Sequence, residues 1–132
     1  MKSSVVVATE DPGIISLLGQ ILVKRDCNLY ITKSKLHSIL KVLTQEVAYF
    51  ILDFELANNS NLELINIIRR IRPRLPIIIF SEDNSEHTIG EIAELGIFYY
   101  ALKPLNVEEI EKVVDAAEQF VHEQQSMNCA YI

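Results

Sequence analysis

The amino-acid sequence predicts a three-layer α/β domain, a parallel sheet covered by helices on both faces. Three observations predict it. Five short apolar runs alternate with five helical patterns, the runs are apolar at consecutive rather than alternate positions, and Asp53, Ser81 and Lys103 each stand where a run ends. Consecutive apolar residues mark strands buried on both faces, and strict alternation builds a parallel sheet through right-handed crossovers.

The first strand is residues 5–8, after which Asp11 supplies an N-cap and Pro12 a first-turn residue for a helix over 12–25. Ile14, Leu17, Leu18 and Ile21 recur at helical spacing there and give that helix one apolar face. Residues 28–32 form a short second strand, and residues 36–43 carry the second helical pattern. The third strand is Val47–Asp53, followed by a polar loop over 57–60. Ser60 and Glu63 stand in capping-box spacing before Leu64, Ile67, Ile68 and Ile71, and Pro73 stops that third helix. Pro76 leads into a fourth strand that ends on Ser81. A less regular helix over 86–95 ends at Gly96, expected in a left-handed cap. The fifth strand covers 97–102. Asn106 with Glu109 starts the last helix, whose stripe of Val107, Ile110, Val114, Ala117 and Val121 stops near Val121. The result is a flavodoxin-like domain at residues 1–123, with 124–132 as a C-terminal tail or the start of a linker.

Composition narrows the function. A chain of 132 residues suits one domain, and 49% hydrophobic with 23% charged residues is an ordinary globule. No apolar stretch is long enough to span a bilayer, and residues 1–4 run into a strand without a signal-peptide segment, so a cytoplasmic location is expected. The formal net charge of -6 argues against general binding to phosphate backbones. Neither nucleic acid nor a membrane is therefore an expected partner. Arg69, Arg70, Arg72 and Arg74 fall at a helix end, where cations complement the helix dipole. Cys27 and Cys129, with His37, His87 and His122, match no metal-ligand spacing and are read as ordinary thiols and imidazoles.

The strand ends carry the chemistry. In an open parallel sheet, ligands gather at the carboxyl ends of the strands, so the Asp53 carboxylate, Ser81 hydroxyl and Lys103 ammonium converge there. A flavin phosphate would meet the acidic turn Thr9-Glu10-Asp11-Pro12, which repels it, and the four glycines form no phosphate-binding motif. The residues do suit carboxylate phosphorylation: Asp53 attacks an activated phosphoryl group and becomes a mixed anhydride. A magnesium ion on acidic oxygens near the first strand would neutralise the repulsion between anions. Lys103 would pair with one phosphoryl oxygen, and Ser81 would donate to another.

From residue 5 to about residue 120 the sequence resembles the receiver domain of two-component response regulators, CheY-like proteins. The carrying residues are Thr9-Glu10-Asp11-Pro12, Asp53 after Phe50-Ile51-Leu52, Leu62-Glu63-Leu64, Ser81 after the fourth apolar run, and Tyr100-Ala101-Leu102-Lys103-Pro104. The resemblance implies a five-stranded parallel sheet in the order 2-1-3-4-5 with five helices. It implies that Asp53 is the phosphoacceptor, supplied by a histidine kinase or phosphotransfer protein with Mg²⁺ as cofactor. Glu10, Asp53 and the backbone carbonyl of Glu55 would hold the metal, with Asp11 as an additional carboxylate. Ser81 and Tyr100 would form a switch pair, Ser81 moving to the phosphoryl group and Tyr100 turning inward. The face built from the fourth helix, fifth strand and fifth helix would then change its affinity for a downstream target or an output domain, or pair two copies as a homodimer. The family often has a cis bond at the position of Lys103-Pro104.

The chain departs from the family at the acid pair. Aligned through Pro12 and the helix behind it, that pair falls on Thr9 and Glu10, so that only one of the two is acidic. Sliding the pair to Glu10 and Asp11 restores both acids but puts Ile14, Leu17 and Leu18 out of step with the family helix. Glu82 stands where the residue after the switch hydroxyl is usually small, and Asn61 replaces a common loop glycine, as a residue that tolerates left-handed backbone. These departures support an alternative, a pseudo-receiver that binds partners without being phosphorylated. A third class, an aspartate-nucleophile phosphatase, is suggested by Asp53-Phe54-Glu55 but lacks the rest of that motif. A signalling module rather than an enzyme is the expectation.

Overall fold

Strands and helices alternate along the chain in the computed structural model, which describes residues 3–58 and 61–130. They are β1 (Ser3–Ala8), α1 (Pro12–Leu22), β2 (Cys27–Thr32), α2 (Lys35–Thr44), β3 (Val47–Asp53), α3 (Leu62–Ile71), β4 (Ile77–Ser81), α4 (Glu86–Glu94), β5 (Tyr99–Leu102) and α5 (Val107–Ala130). The five strands form one parallel sheet in the order β2-β1-β3-β4-β5, as expected for a CheY-like fold.

The consecutive apolar residues divide between two cores. Val5, Val7, Tyr49, Ile51, Ile78 and Phe80 face α1 and α5, packing on Leu18, Ile21, Ile110 and Val114. Their neighbours Val6, Ala8, Phe50, Leu52, Ile77 and Ile79 face the other way, onto Val42, Leu64, Ile65, Ile68 and Ile92. Because successive strand side chains point to opposite faces, a sheet covered on both sides needs apolar residues at every position.

Several boundaries differ from the sequence reading. α1 ends at Leu22 rather than Arg25. The Arg25 guanidinium folds back to donate to the Ile21 carbonyl at 2.8 Å and pairs with Glu118 and Asp115 on α5. That leaves the chain free to turn and start β2 at Cys27, opposite Ser3. Ser60 of the expected capping box lies outside the described residues. α3 begins at Leu62 with Asn61 in the N-cap position, and Asn61 makes no side-chain cap. Its buried amide instead donates to the carbonyls of Phe54 at 2.7 Å and Leu56 at 3.3 Å, closing the loop after β3. Nor is Asn61 left-handed: its φ is -110°, and the left-handed residue of this loop is Ala57, at φ 61°.

Gly96 does adopt the expected left-handed cap, with φ 78°. β5 starts at Tyr99 rather than Ile97: the Phe98 N–H donates to Ile77 O at 2.8 Å, and the paired register with β4 begins at Tyr99. α5 runs through Ala130, across most of the predicted tail. The apolar stripe stops near Val121, but residues 122–130 contain neither glycine nor proline and are rich in helix formers. Of the arginine cluster, Arg69 does more than complement a dipole. Its guanidinium donates to the carbonyls of Pro73, Leu75 and Gly96 at 3.0, 2.7 and 2.6 Å, clasping two turns together.

Candidate functional site

Sheet register gathers the strand ends. Ala8 pairs with Leu52, Asp53 with Phe80, and Ser81 with Leu102, so Thr9, Asp53, Ser81 and Lys103 emerge at one edge. The ladder continues into the first loop residues: Phe54 N–H donates to Phe80 O at 2.8 Å and Lys103 N–H to Ser81 O at 2.9 Å. Backbone hydrogen bonds therefore fix where these side chains start.

Asp53 is almost fully buried, and both its oxygens are engaged. Oδ1 accepts from Lys103 Nζ at 2.8 Å and from the Glu55 N–H at 3.3 Å. Oδ2 accepts from the Thr9 hydroxyl at 2.8 Å. Thr9 is itself fully buried, and its Oγ1 also accepts the Asp11 N–H at 3.0 Å. A buried carboxylate is tolerable only with a cation and donors of this kind.

The Glu55 side chain, to which sequence reasoning gave only a carbonyl role, is a full member of the cluster. Its Oε1 accepts from Lys103 Nζ at 2.9 Å and from the Glu82 N–H at 3.0 Å. Its Oε2 accepts the Ser81 hydroxyl at 2.8 Å. Ser81 thus reaches Glu55 rather than Asp53. The signal available was a second acid two residues beyond Asp53, carried back toward the strand ends by a loop. Lys103 serves both carboxylates; burial opposes its charge, but the hydrogen bonds to Asp53 and Glu55 outweigh this and hold its pKa above the usual range.

The other predicted residues sit around this centre. Tyr100 donates its hydroxyl to the Asp83 carbonyl at 2.5 Å, and burial is the largest cause of its raised pKa. Asp83 in turn donates its N–H to Ser81 Oγ at 3.0 Å. Asp11 caps α1, accepting the Gly13 N–H at 2.8 Å, which ties its carboxylate to the helix. Glu10 is exposed at the end of β1. Lys103-Pro104 is a cis peptide bond.

Among the described residues, no three His, Cys, Asp or Glu side chains gather around a metal position. Of the oxygens the sequence assigns to a cation, the Asp53 carboxylate lies at this edge, Glu10 is exposed two residues beyond β1, and Glu55 sits in the loop just after β3. That chemistry fits a cation that keeps several waters and takes one or two carboxylates. Also among the described residues, no helix is long and apolar enough to cross a membrane.

Residues 5–115 match the response regulator receiver domain family. The DNA-binding transcriptional regulator NtrC of Azospirillum brasilense is 30% identical over 115 residues, which is 87% of this chain but 24% of that protein. The chain thus spans about a quarter of this relative's length. Among solved structures, the signal receiver domain of a putative Luxo repressor protein from Vibrio parahaemolyticus superposes with a TM-score of 0.86 at 14% identity, covering 96% of this chain and 98% of that one. A response regulator from Burkholderia pseudomallei with a phosphorylated aspartic acid, calcium ion and citrate gives a TM-score of 0.75 at 21% identity, covering 98% and 75%.

Proposed function

The chain belongs to the response regulator receiver domain family, and from that membership we propose that it is a phosphorylation-dependent signalling switch whose acceptor is Asp53. The observation that carries this reading is the Asp53 carboxylate buried at a strand end with Lys103 Nζ at 2.8 Å. In the transfer, an Asp53 oxygen forms a bond to phosphorus as the bond from phosphorus to the donor's imidazole nitrogen breaks, and that electron pair leaves with the donor. A histidine kinase or phosphotransfer protein is the donor class. Lys103 holds positive charge against the phosphoryl oxygens, and the rigid strand ends preset the geometry.

Mg²⁺, held by Glu10, Asp53 and the Glu55 carbonyl, would supply charge neutralisation between the two anions. Thr9 contributes a hydroxyl where the family usually has a carboxylate, and Asp11 is committed to capping α1. The output is a change in binding at the face of α4, β5 and α5, read by a target protein or by an output domain. A homodimer across that face is the alternative arrangement.

A second reading, a pseudo-receiver that signals by binding alone, is favoured by Thr9, since a neutral hydroxyl now bonds the acceptor directly. One experiment separates the two. The protein is incubated with a small acyl phosphate, with and without Mg²⁺, and intact mass is followed beside Asp53→Asn. A one-phosphoryl gain that needs both magnesium and Asp53 is the expected result. No gain in folded protein would favour the pseudo-receiver.

A further inference from the structure

Phosphoryl transfer as described leaves the Glu55 carboxylate without a task, yet it is the acceptor of the most widely drawn donors at the site. Ser81 on β4, the Glu82 N–H just after it, and Lys103 after β5 all converge on its two oxygens, at 2.8, 3.0 and 2.9 Å. Lys103 already touches Asp53, and Ser81 directly follows Phe80, the register partner of Asp53 on β4. A phosphoryl group on Asp53 brings about two negative charges and three strong acceptor oxygens into this space. The Ser81 hydroxyl and the Glu82 amide have one proton each, so neither can fully serve both anions.

We infer that the Glu55 carboxylate is an intramolecular occupant of the phosphoryl-oxygen site, and that phosphorylation of Asp53 must displace it. This rests on Asp53 being the acceptor. The occupant also reaches the surface through a short relay. Ser81 Oγ, while donating to Glu55, accepts the Asp83 N–H at 3.0 Å, and the Asp83 carbonyl accepts the Tyr100 hydroxyl at 2.5 Å. Before any phosphoryl group arrives, Glu55 therefore holds Ser81 on the site and, through Asp83, sets the position of Tyr100. Displacement is feasible because Glu55 sits on a loop with its side chain 31% exposed, so water can receive it.

The test uses the whole chain, wild type beside Glu55→Gln and Glu55→Ala, each checked for folding by circular dichroism. Uptake of a phosphoryl group from a small acyl phosphate with Mg²⁺ is followed by intact mass. Removing the occupant should speed uptake by roughly tenfold or more, the size of one charge-assisted hydrogen bond. In a second arm, without any phosphoryl donor, ¹⁵N NMR should show the Glu82 and Asp83 amide resonances and the Tyr100 ring resonances displaced in Glu55→Gln. Equal or slower uptake in both variants, or resonances that do not move, overturns the inference. No uptake in any of the three proteins removes the acceptor reading and the competition with it, whereas the NMR arm still reports whether Glu55 sets Ser81 and Tyr100.

Discussion

Asp53 and Glu55 are two residues apart and share one ammonium, but they are held in opposite ways. Asp53 is the last residue of a central strand, its side chain 7% exposed; it pairs with Phe80 on β4, and its neighbour Leu52 pairs with Ala8 on β1. Glu55 sits on the following loop, its side chain 31% exposed, and is anchored by what its carboxylate accepts. One half of the site is therefore built into the sheet and the other is fastened to it. The fixed half is suited to a nucleophile, which must not wander. The fastened half is suited to a group that gives way, because breaking its contacts leaves the sheet intact.

The largest expected effect comes from removing what the two halves share. Lys103→Met leaves a buried carboxylate without its cation, and stability measured by urea unfolding should fall by about 3 kcal/mol. Adding Asp53→Asn should recover part of that loss, because the uncompensated charge is then gone. A fall well under 1 kcal/mol would mean that Asp53 is less committed to the interior than its burial indicates. Asn61→Ala attacks the loop half. Losing two hydrogen bonds to the carbonyls of Phe54 and Leu56 should cost about 2 kcal/mol. Amide exchange should then rise at Glu55 and Leu56 while β3 stays protected; equal loosening of both would erase the distinction.

Thr9→Val acts on the strand half alone. It removes the hydroxyl donated to Asp53 Oδ2, and with it the acceptor of the Asp11 N–H, while keeping the shape, and should cost about 1.5 kcal/mol without altering exchange at Glu55. The smallest effect lies at the far end of β3. Tyr49 is buried, its hydroxyl has no hydrogen-bond partner among the described residues, and burial pushes its pKa strongly upward. Since the unfolded side chain ionises near pH 10, this contributes stability that is whole below about pH 10 and lost only above it. In the native protein at about pH 10.5, Tyr49→Phe should leave the tyrosinate absorbance unchanged. A drop would show that this end of the strand is open to solvent.

Much of this was legible in the sequence for a physical reason. A sheet buried on both faces writes itself as consecutive apolar residues, and its register then places Asp53, Ser81 and Lys103 together whatever the loops do. Asp11-Pro12 and Gly96 were readable because caps depend on local backbone chemistry. Glu55 was not, since a loop side chain takes its direction from the turn beneath it. That turn depends on Ala57 in a left-handed conformation and on Asn61, whose amide closes the loop rather than capping a helix. The end of α1 was missed because Arg25 makes its partners about 90 residues away on α5. The end of α5 was missed because helix propensity outlasts the apolar stripe.

The most direct test is a crystal structure of the protein with beryllofluoride and Mg²⁺. The predicted result is beryllofluoride on an Asp53 oxygen, with Ser81 Oγ, Glu82 N–H and Lys103 Nζ turned onto it and the Glu55 carboxylate moved out to solvent. Glu55 still holding Ser81 and Glu82 with the anion bound at Asp53 would contradict the account, because the two anions would then not share a site.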